Sequence, residues 1–182
     1  MPPIIYQHDH PDRFVAGTIG MPGERQFFLQ AKSGRTVNSV ALEKQQVQAL
    51  AERIDELLDV VVRRAGGDSP VPAAAREADR DNAELDMPAT AEFQVGTMSL
   101  AWDTEENTLV IECFPITETE EGEEEDTSEL DRLRVVLDGA QGREFVRRSK
   151  EVVAAGRPDC PFCSRPLEPG GHICPRANGV KR

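Results

Sequence analysis

The chain has 182 residues, 38% of them hydrophobic, with seven Phe, one Trp and one Tyr, 33 acidic against 21 basic side chains and a formal net charge of −12. That length suits one ordinary domain plus a small appendage, and the acid excess argues against a protein whose whole surface grips a phosphate backbone. No stretch reaches the roughly 20 continuous apolar residues of a membrane helix, and the opening MPPIIYQHDHPDRF lacks a basic region followed by an apolar one, so a soluble cytoplasmic protein is expected.

The first histidines, His8-Asp9-His10, have metal-binding side chains but precede the first expected strand, where a solvated segment is the simpler expectation. Residues 13–19 and 26–32 are short apolar runs separated by Gly20-Met-Pro-Gly23, a turn signal, and 35–42 makes a third strand after Ser33-Gly34. From 43 to 64, Val47, Leu50, Ala51, Ile54, Leu57, Leu58 and Val61 recur at three- and four-residue steps, one apolar face of a helix that Gly66-Gly67 stops. Residues 66–91 (GGDSPVPAAAREADRDNAELDMPATA) are rich in Gly, Pro, Ala and charge and read as a linker or long loop. Strands follow over 92–102 and 108–117, flanking a hairpin loop at 103–107, and another over 130–137. Asp138 can cap a second helix running to about Ala155, with Phe145, Val146, Val152 and Val153 for packing, and Gly156 with Pro158 ends it.

The two halves resemble each other. Phe14-Val-Ala-Gly17-Thr18 returns as Phe93-Gln-Val-Gly96-Thr97, and Val40, Leu42, Gln46, Arg53 and Glu56 meet Val135, Leu137, Gln141, Arg148 and Glu151 at one constant offset. The two Gly-Thr pairs suit bulges or strand ends, or equivalent contact points on a pseudo-symmetric surface. The expected fold is α+β, with two related β-β-β-α units of antiparallel sheet, either fused or stacked, and, where Cys160, Cys163, His172 and Cys174 crowd into the tail, a small C-terminal zinc knuckle. Its parts are residues 1–65, the linker 66–91, residues 92–156 and the tail 157–182.

Charge is divided along the chain. Residues 1–131 hold 28 acids and 10 bases, a net of −18, whereas residues 132–182 hold 5 acids and 11 bases, a net of +6. Nine of the fourteen residues from 118 to 131 are acidic with no Lys or Arg among them, so a flexible, solvated loop is expected over 118–129.

Three of the four cysteines and one of the three histidines cluster in the tail, as Cys160-Pro-Phe-Cys163 and His172-Ile-Cys174. Zn²⁺ favours four such ligands in a tetrahedron, and the Pro- and Gly-rich segment 164–171 between the pairs suits a chain reversal. Three thiolates and an imidazole leave no open coordination position, which predicts a structural ion. Competing readings are a thioredoxin-like redox pair, for which a following helix is missing, a disulfide, which a cytoplasmic chain disfavours, and unrelated surface thiols. Cys113, mid-strand in VIECF, reads as a small buried hydrophobe. No GxSxG, HExxH, Walker A or GxGxxG pattern with a following acidic residue occurs, so no catalytic residues and no cofactor-binding residues are nominated.

The strings PDRFVAGTIG, FFLQAKSG, SVALEKQQVQALAERIDELL, FQVGTMSLAWD and VVAAGRPDCPFCSRPLEPGGHICPRANG, in that order, resemble the DUF3090 family of uncharacterised actinobacterial proteins. The resemblance supports Cys160, Cys163, His172 and Cys174 as the tail ligands, supplies no catalytic residue, and implies gene neighbours of a histidine-phosphatase-like and a phosphatidylinositol-kinase-like kind. His8 and His10 lie outside these strings.

The expected function is therefore a non-catalytic protein-interaction module with structural Zn²⁺, its partner a protein and not a membrane. Two alternatives stand beside it. One is nucleic-acid binding through the basic tail, with Arg157, Arg165, Arg176, Lys181 and Arg182 around the ion. The other, resting on the implied gene neighbours, is an enzyme or accessory factor of phosphoryl metabolism.

Overall fold

The computed structural model describes the whole chain apart from residues 22, 119–122, 124–125, 157–159, 166–173 and 177–182. Seven strands and two helices are formed: β1 (Ile5–Asp9), β2 (Arg13–Ile19), β3 (Gln26–Ser33), β4 (Thr36–Leu42), α1 (Lys44–Ala65), β5 (Ala91–Asp103), β6 (Thr108–Pro115), β7 (Arg132–Leu137) and α2 (Gly139–Ala154). All seven strands belong to one sheet, ordered β1-β7-β6-β5-β4-β3-β2. The two expected meanders, β2-β3-β4 and β5-β6-β7, lie side by side in this α+β fold. Pairing is mostly antiparallel, with two parallel joints: β4 with β5, which α1 connects by a crossover, and β1 with β7.

Each helix begins on the same device. Glu43 N–H donates to Gln46 Oε1 (2.8 Å), and at α2 Asp138 N–H donates to Gln141 Oε1 (3.0 Å) while Gln141 N–H donates to Asp138 Oδ1 (2.7 Å). Gln46 and Gln141, matched by the constant offset, also each send their Nε2 to a strand-side backbone carbonyl, Val95 O and Pro11 O. Gly66 closes α1 at φ 72°, a left-handed conformation that a side chain would strain.

Strand alternation sorts the core. One face of the sheet carries Phe27, Leu29 and Ala31 of β3, Val40 and Leu42 of β4, Leu109, Ile111 and Cys113 of β6 and Leu133, Val135 and Leu137 of β7, and α1 lays Val47, Leu50, Ile54 and Leu58 against them. Phe145 of α2 stacks on Phe14 of β2 with ring centroids 4.7 Å apart. The opposite face of the first meander holds a smaller cluster, Val15, Phe28 and Ala41, covered by Leu85. Leu85 presses so close to Gly17 that a Cβ there would lie 2.6 Å from its side chain, which is why a glycine stands mid-strand in β2. Gly96, by contrast, sits where the β5–β6 register shifts between Val95 and Thr97.

The N-terminal segment departs from expectation. Residues 5–9 form a strand that pairs with β7, and His8 is 1% exposed instead of solvated. Tyr6 and His8 turn toward the core side while Ile5, Gln7 and Asp9 face water. The apolar residue points out and the imidazole in, the reverse of the hydropathy rule used to find half-buried strands. His8 and Asp9 consequently occupy opposite faces of the sheet and cannot share an ion. His8 contacts Ser33 of β3 and Asn38 of β4, strands well removed from β1 in the sheet order, so the sheet curls around its own core face.

The connection between α1 and β5 packs on the molecule at both ends. Val71 is buried against Gly139 and Leu85 against Gly17. Between them a 3-10 turn at Glu77–Asp79 leads into Asp81, which accepts from Arg13 and Arg148.

Candidate metal centre

The tail beyond α2 has too few apolar residues to build a core, so its order has to come from short-range hydrogen bonding and from its thiols. Cys160-Pro161-Phe162-Cys163 makes a tight loop in which Ser164 N–H donates to Cys160 O (2.9 Å) and Cys160 N–H donates to Arg165 O (2.8 Å). Ser164 takes a left-handed φ of 59° to close it. The backbone N–H groups of Phe162 and Cys163 point at Cys160 Sγ, and that of Arg176 points at Cys174 Sγ. The two Cys-Pro-x steps, 160–162 and 174–176, thus each aim the amide two residues on at their own sulfur. Arg176 Nη1 also donates to Phe162 O (3.4 Å), linking the two steps.

These loops bring Cys160, Cys163 and Cys174 together with all three sulfurs within 4.8 Å of one another. Cys160 and Cys174 are buried and their sulfurs are 3.8 Å apart. Zn–S bonds of about 2.3 Å at tetrahedral angles place neighbouring sulfurs roughly 3.8 Å apart, whereas a disulfide requires about 2.05 Å. All four cysteines are free thiols. The three tail sulfurs therefore have the chemistry and spacing to hold one metal ion.

Their acidities fit a shared site. Burial pushes the Cys160 thiol up, but the Phe162 and Cys163 amides and the neighbouring thiols outweigh it and carry it below the ordinary range. Burial raises Cys174, and the adjoining Cys163 and Cys160 sulfurs raise it further against the pull of the Arg176 amide. A cation held among the three sulfurs would stabilise every thiolate.

Of the residues nominated from sequence, Cys160, Cys163 and Cys174 are thus brought together, and His172 lies outside the described residues. Cys113 is a core residue of β6, its thiol pushed up to about 12 by burial and by Glu112. Among the described residues, the three cysteines are the only group of His, Cys, Asp or Glu side chains placed to hold an ion. The expected acidic loop 118–129 lies partly outside the described residues, and its far end forms a 3-10 turn at Thr127–Glu129 whose Thr127 and Ser128 carbonyls accept from Arg132. No described helix is long and apolar enough to cross a membrane.

A family model described as a protein of unknown function (DUF3090) matches residues 6–174, from β1 through the last of the clustered cysteines. No curated protein and no solved structure matches the chain.

Proposed function

We propose, for a chain that belongs to the DUF3090 family, that it is a cytoplasmic interaction module whose C-terminal tail is organised by one structural Zn²⁺ held by Cys160, Cys163, His172 and Cys174. The convergence of three thiols at the edge length of a zinc tetrahedron carries this reading. A closed ligand set supplies folding energy to a tail that lacks a core, and the ordered tail then offers a defined surface beside the sheet.

The partner best supported is a protein. Residues 132–182 carry a net of +6, the basis of the nucleic-acid alternative, but six of their eleven basic side chains are already paired with carboxylates. Arg132 and Arg134 pair with Glu112, Arg143 with Asp55 and Asp59, Arg147 with Glu144, Arg148 with Asp81, and Lys150 with Asp55. Cations already neutralised in this way release few counterions on meeting phosphate, which confines the nucleic-acid alternative to the five basic residues of the tail.

Elemental analysis of protein purified without chelator tests the ion, with an expected value near one zinc per chain. Cys163→Ser is expected to release it and expose the tail to protease while the main thermal transition stays in place. Affinity purification from the native host, with the parent and with Cys163→Ser as bait, tests the module: partners recovered by the parent and lost with the variant are the expected result. A stoichiometry near zero, or an unchanged partner set, overturns it.

A further inference from the structure

The buried imidazole of His8 is held on both nitrogens. Nε2 lies 2.8 Å from Asn38 Oδ1 and Nδ1 lies 2.8 Å from Ser33 Oγ. The network fixes which nitrogen carries the proton. Glu92 is an acceptor, taking a hydrogen bond from Asn38 Nδ2 (3.0 Å) and another from the Tyr6 hydroxyl. The Asn38 amide nitrogen therefore faces Glu92 and its oxygen faces His8, so Nε2 bears the hydrogen and the Nδ1 lone pair is left to receive the Ser33 hydroxyl proton. Hydroxyl, imidazole and orienting amide in this order make the nucleophile, base and orienter arrangement that recurs on unrelated folds.

The hydroxyl end of the pair lies at the margin of the core. Ser33 ends β3 and is half-buried, and Gly34 after it adopts a φ of +59° beside open space, a Cβ there meeting nothing within 4 Å. Burying an imidazole costs desolvation that an aliphatic side chain at the same place in β1 would avoid, and the two matched partners offset that cost while fixing the ring against the hydroxyl.

We propose that Ser33 is a nucleophile toward acyl esters, with His8 as its base and Asn38 as a positioning residue. This goes beyond the zinc-ordered tail and is independent of it. In the first step Ser33 Oγ bonds to the acyl carbon while its proton passes to His8 Nδ1. The bond from the acyl carbon to the alkoxide then breaks, and the leaving alkoxide takes that proton to depart as an alcohol. Water attacking the Ser33 ester, its proton drawn to Nδ1 and returned to Ser33 Oγ, releases the carboxylic acid. Gly34 N–H, the nearest amide in sequence able to steady an oxyanion, is engaged by Asp12 Oδ2 at 2.7 Å, so slow deacylation and an accumulating acyl-serine are expected.

The test is labelling of the full-length protein with an alkyl fluorophosphonate, in which the Ser33 Oγ–P bond replaces P–F. Peptide mass mapping is expected to find the adduct at Ser33, absent in Ser33→Ala and formed about 100-fold more slowly in His8→Gln, with a smaller slowing in Asn38→Ala. A purely structural His8 cluster would leave Ser33 no more reactive than an ordinary surface serine. The absence of a Ser33 adduct after prolonged reaction overturns the proposal, and so does an equal rate in folded His8→Gln. Should that variant fail to fold, parent protein unfolded in urea replaces it: loss of labelling on unfolding supports the proposal, and an unchanged rate overturns it. The zinc content of the same sample reports on the tail separately.

Discussion

The two meanders of the sheet share their core face and differ on the other. Behind β2–β4, Val15, Phe28 and Ala41 are sealed by Leu85, and the strap that carries Leu85 is bound down by Arg13, Arg147 and Arg148. Behind β5–β7 most outward positions are exposed or half-buried, with Glu112 bridging Arg132 and Arg134 and Arg132 lying over the ring of Phe114, which is buried beneath it. One half of the sheet is therefore a three-layer structure and the other a two-layer one. A sheet face left to water needs polar or paired side chains, whereas a covered face needs apolar ones plus partners for every covering backbone group. The residues between α1 and β5 supply both of the latter, which makes that connection a structural layer.

The strongest way to break the difference is at Arg148, which is buried and serves both elements. Its Nε donates to Ala16 O of β2 (2.8 Å), and its Nη1 donates to Ala83 O of the strap (2.6 Å) and to Asp81. Burial lowers the pKa of its guanidinium and the Arg13 charge adds to this, with Asp81 pulling the other way. Arg148→Met keeps much of the volume but leaves the Asp81 carboxylate and the carbonyls of Ala16, Asp81 and Ala83 without that donor, and a loss of about 3–5 kcal/mol in urea unfolding is expected. Arg134→Ala, which loosens a half-exposed pair on the open face, is the reference change and should cost about 1 kcal/mol or less. Equal losses would mean that the strap is not a layer at all.

Leu85→Ala removes the cover and keeps the polar ties. It should cost about 2–5 kcal/mol, with the value depending on how far the strap collapses onto Gly17. Hydrogen exchange is expected to speed up in β2 and β3 more than in β6 and β7, because only the first pair loses its outer layer.

How much of this is visible in the sequence depends on whether local chemistry or tertiary partners decide each feature. The α1 face is legible because Val47, Leu50, Ile54 and Leu58 repeat at helical spacing, and its end is legible because Gly66 permits the left-handed turn. The tail cysteines are legible because ligand type and close spacing are themselves the signal. β1 is hidden, since Ile5 faces water and His8 faces inward, and only its parallel pairing with β7, more than 120 residues away, makes it a strand. The strap is hidden for another reason: Val71 and Leu85 are its only buried apolar anchors. Composition averaged over residues 66–91 dilutes those two contacts among Ala, Pro and charge, while much of the segment's hold comes from arginines belonging to β2 and α2. Likewise Ser33, Asn38 and His8 carry no motif, because the curl of the sheet and not their spacing brings them together.

The finest difference between the two faces should appear in acid. Asp81 belongs to the strap and turns its carboxylate toward β2 and α2, where burial alone would raise its carboxyl. Hydrogen bonds from Arg13 and the Ala83 amide, with the charges of Arg13 and Arg148, hold it below the usual carboxylate range. A carboxyl whose folded pKa is depressed binds its proton more readily when the chain unfolds. Its stabilisation is therefore complete above the ordinary Asp value of about 3.9 and is lost as pH falls below that value and through the lowered folded one. Urea midpoints of the parent protein should consequently fall as pH drops below about 4, and Asp81→Asn, less stable at neutral pH, should show a shallower decline over the same interval. The drop should be accompanied by faster hydrogen exchange along β2 before β7 is affected, because the group being protonated fastens the strap to Arg13 of β2 and Arg148 of α2 and to no strand of the second meander. If both meanders open together at low pH, Asp81 is acting on the whole fold, and the distinction between a covered half and an open half fails at its most sensitive point.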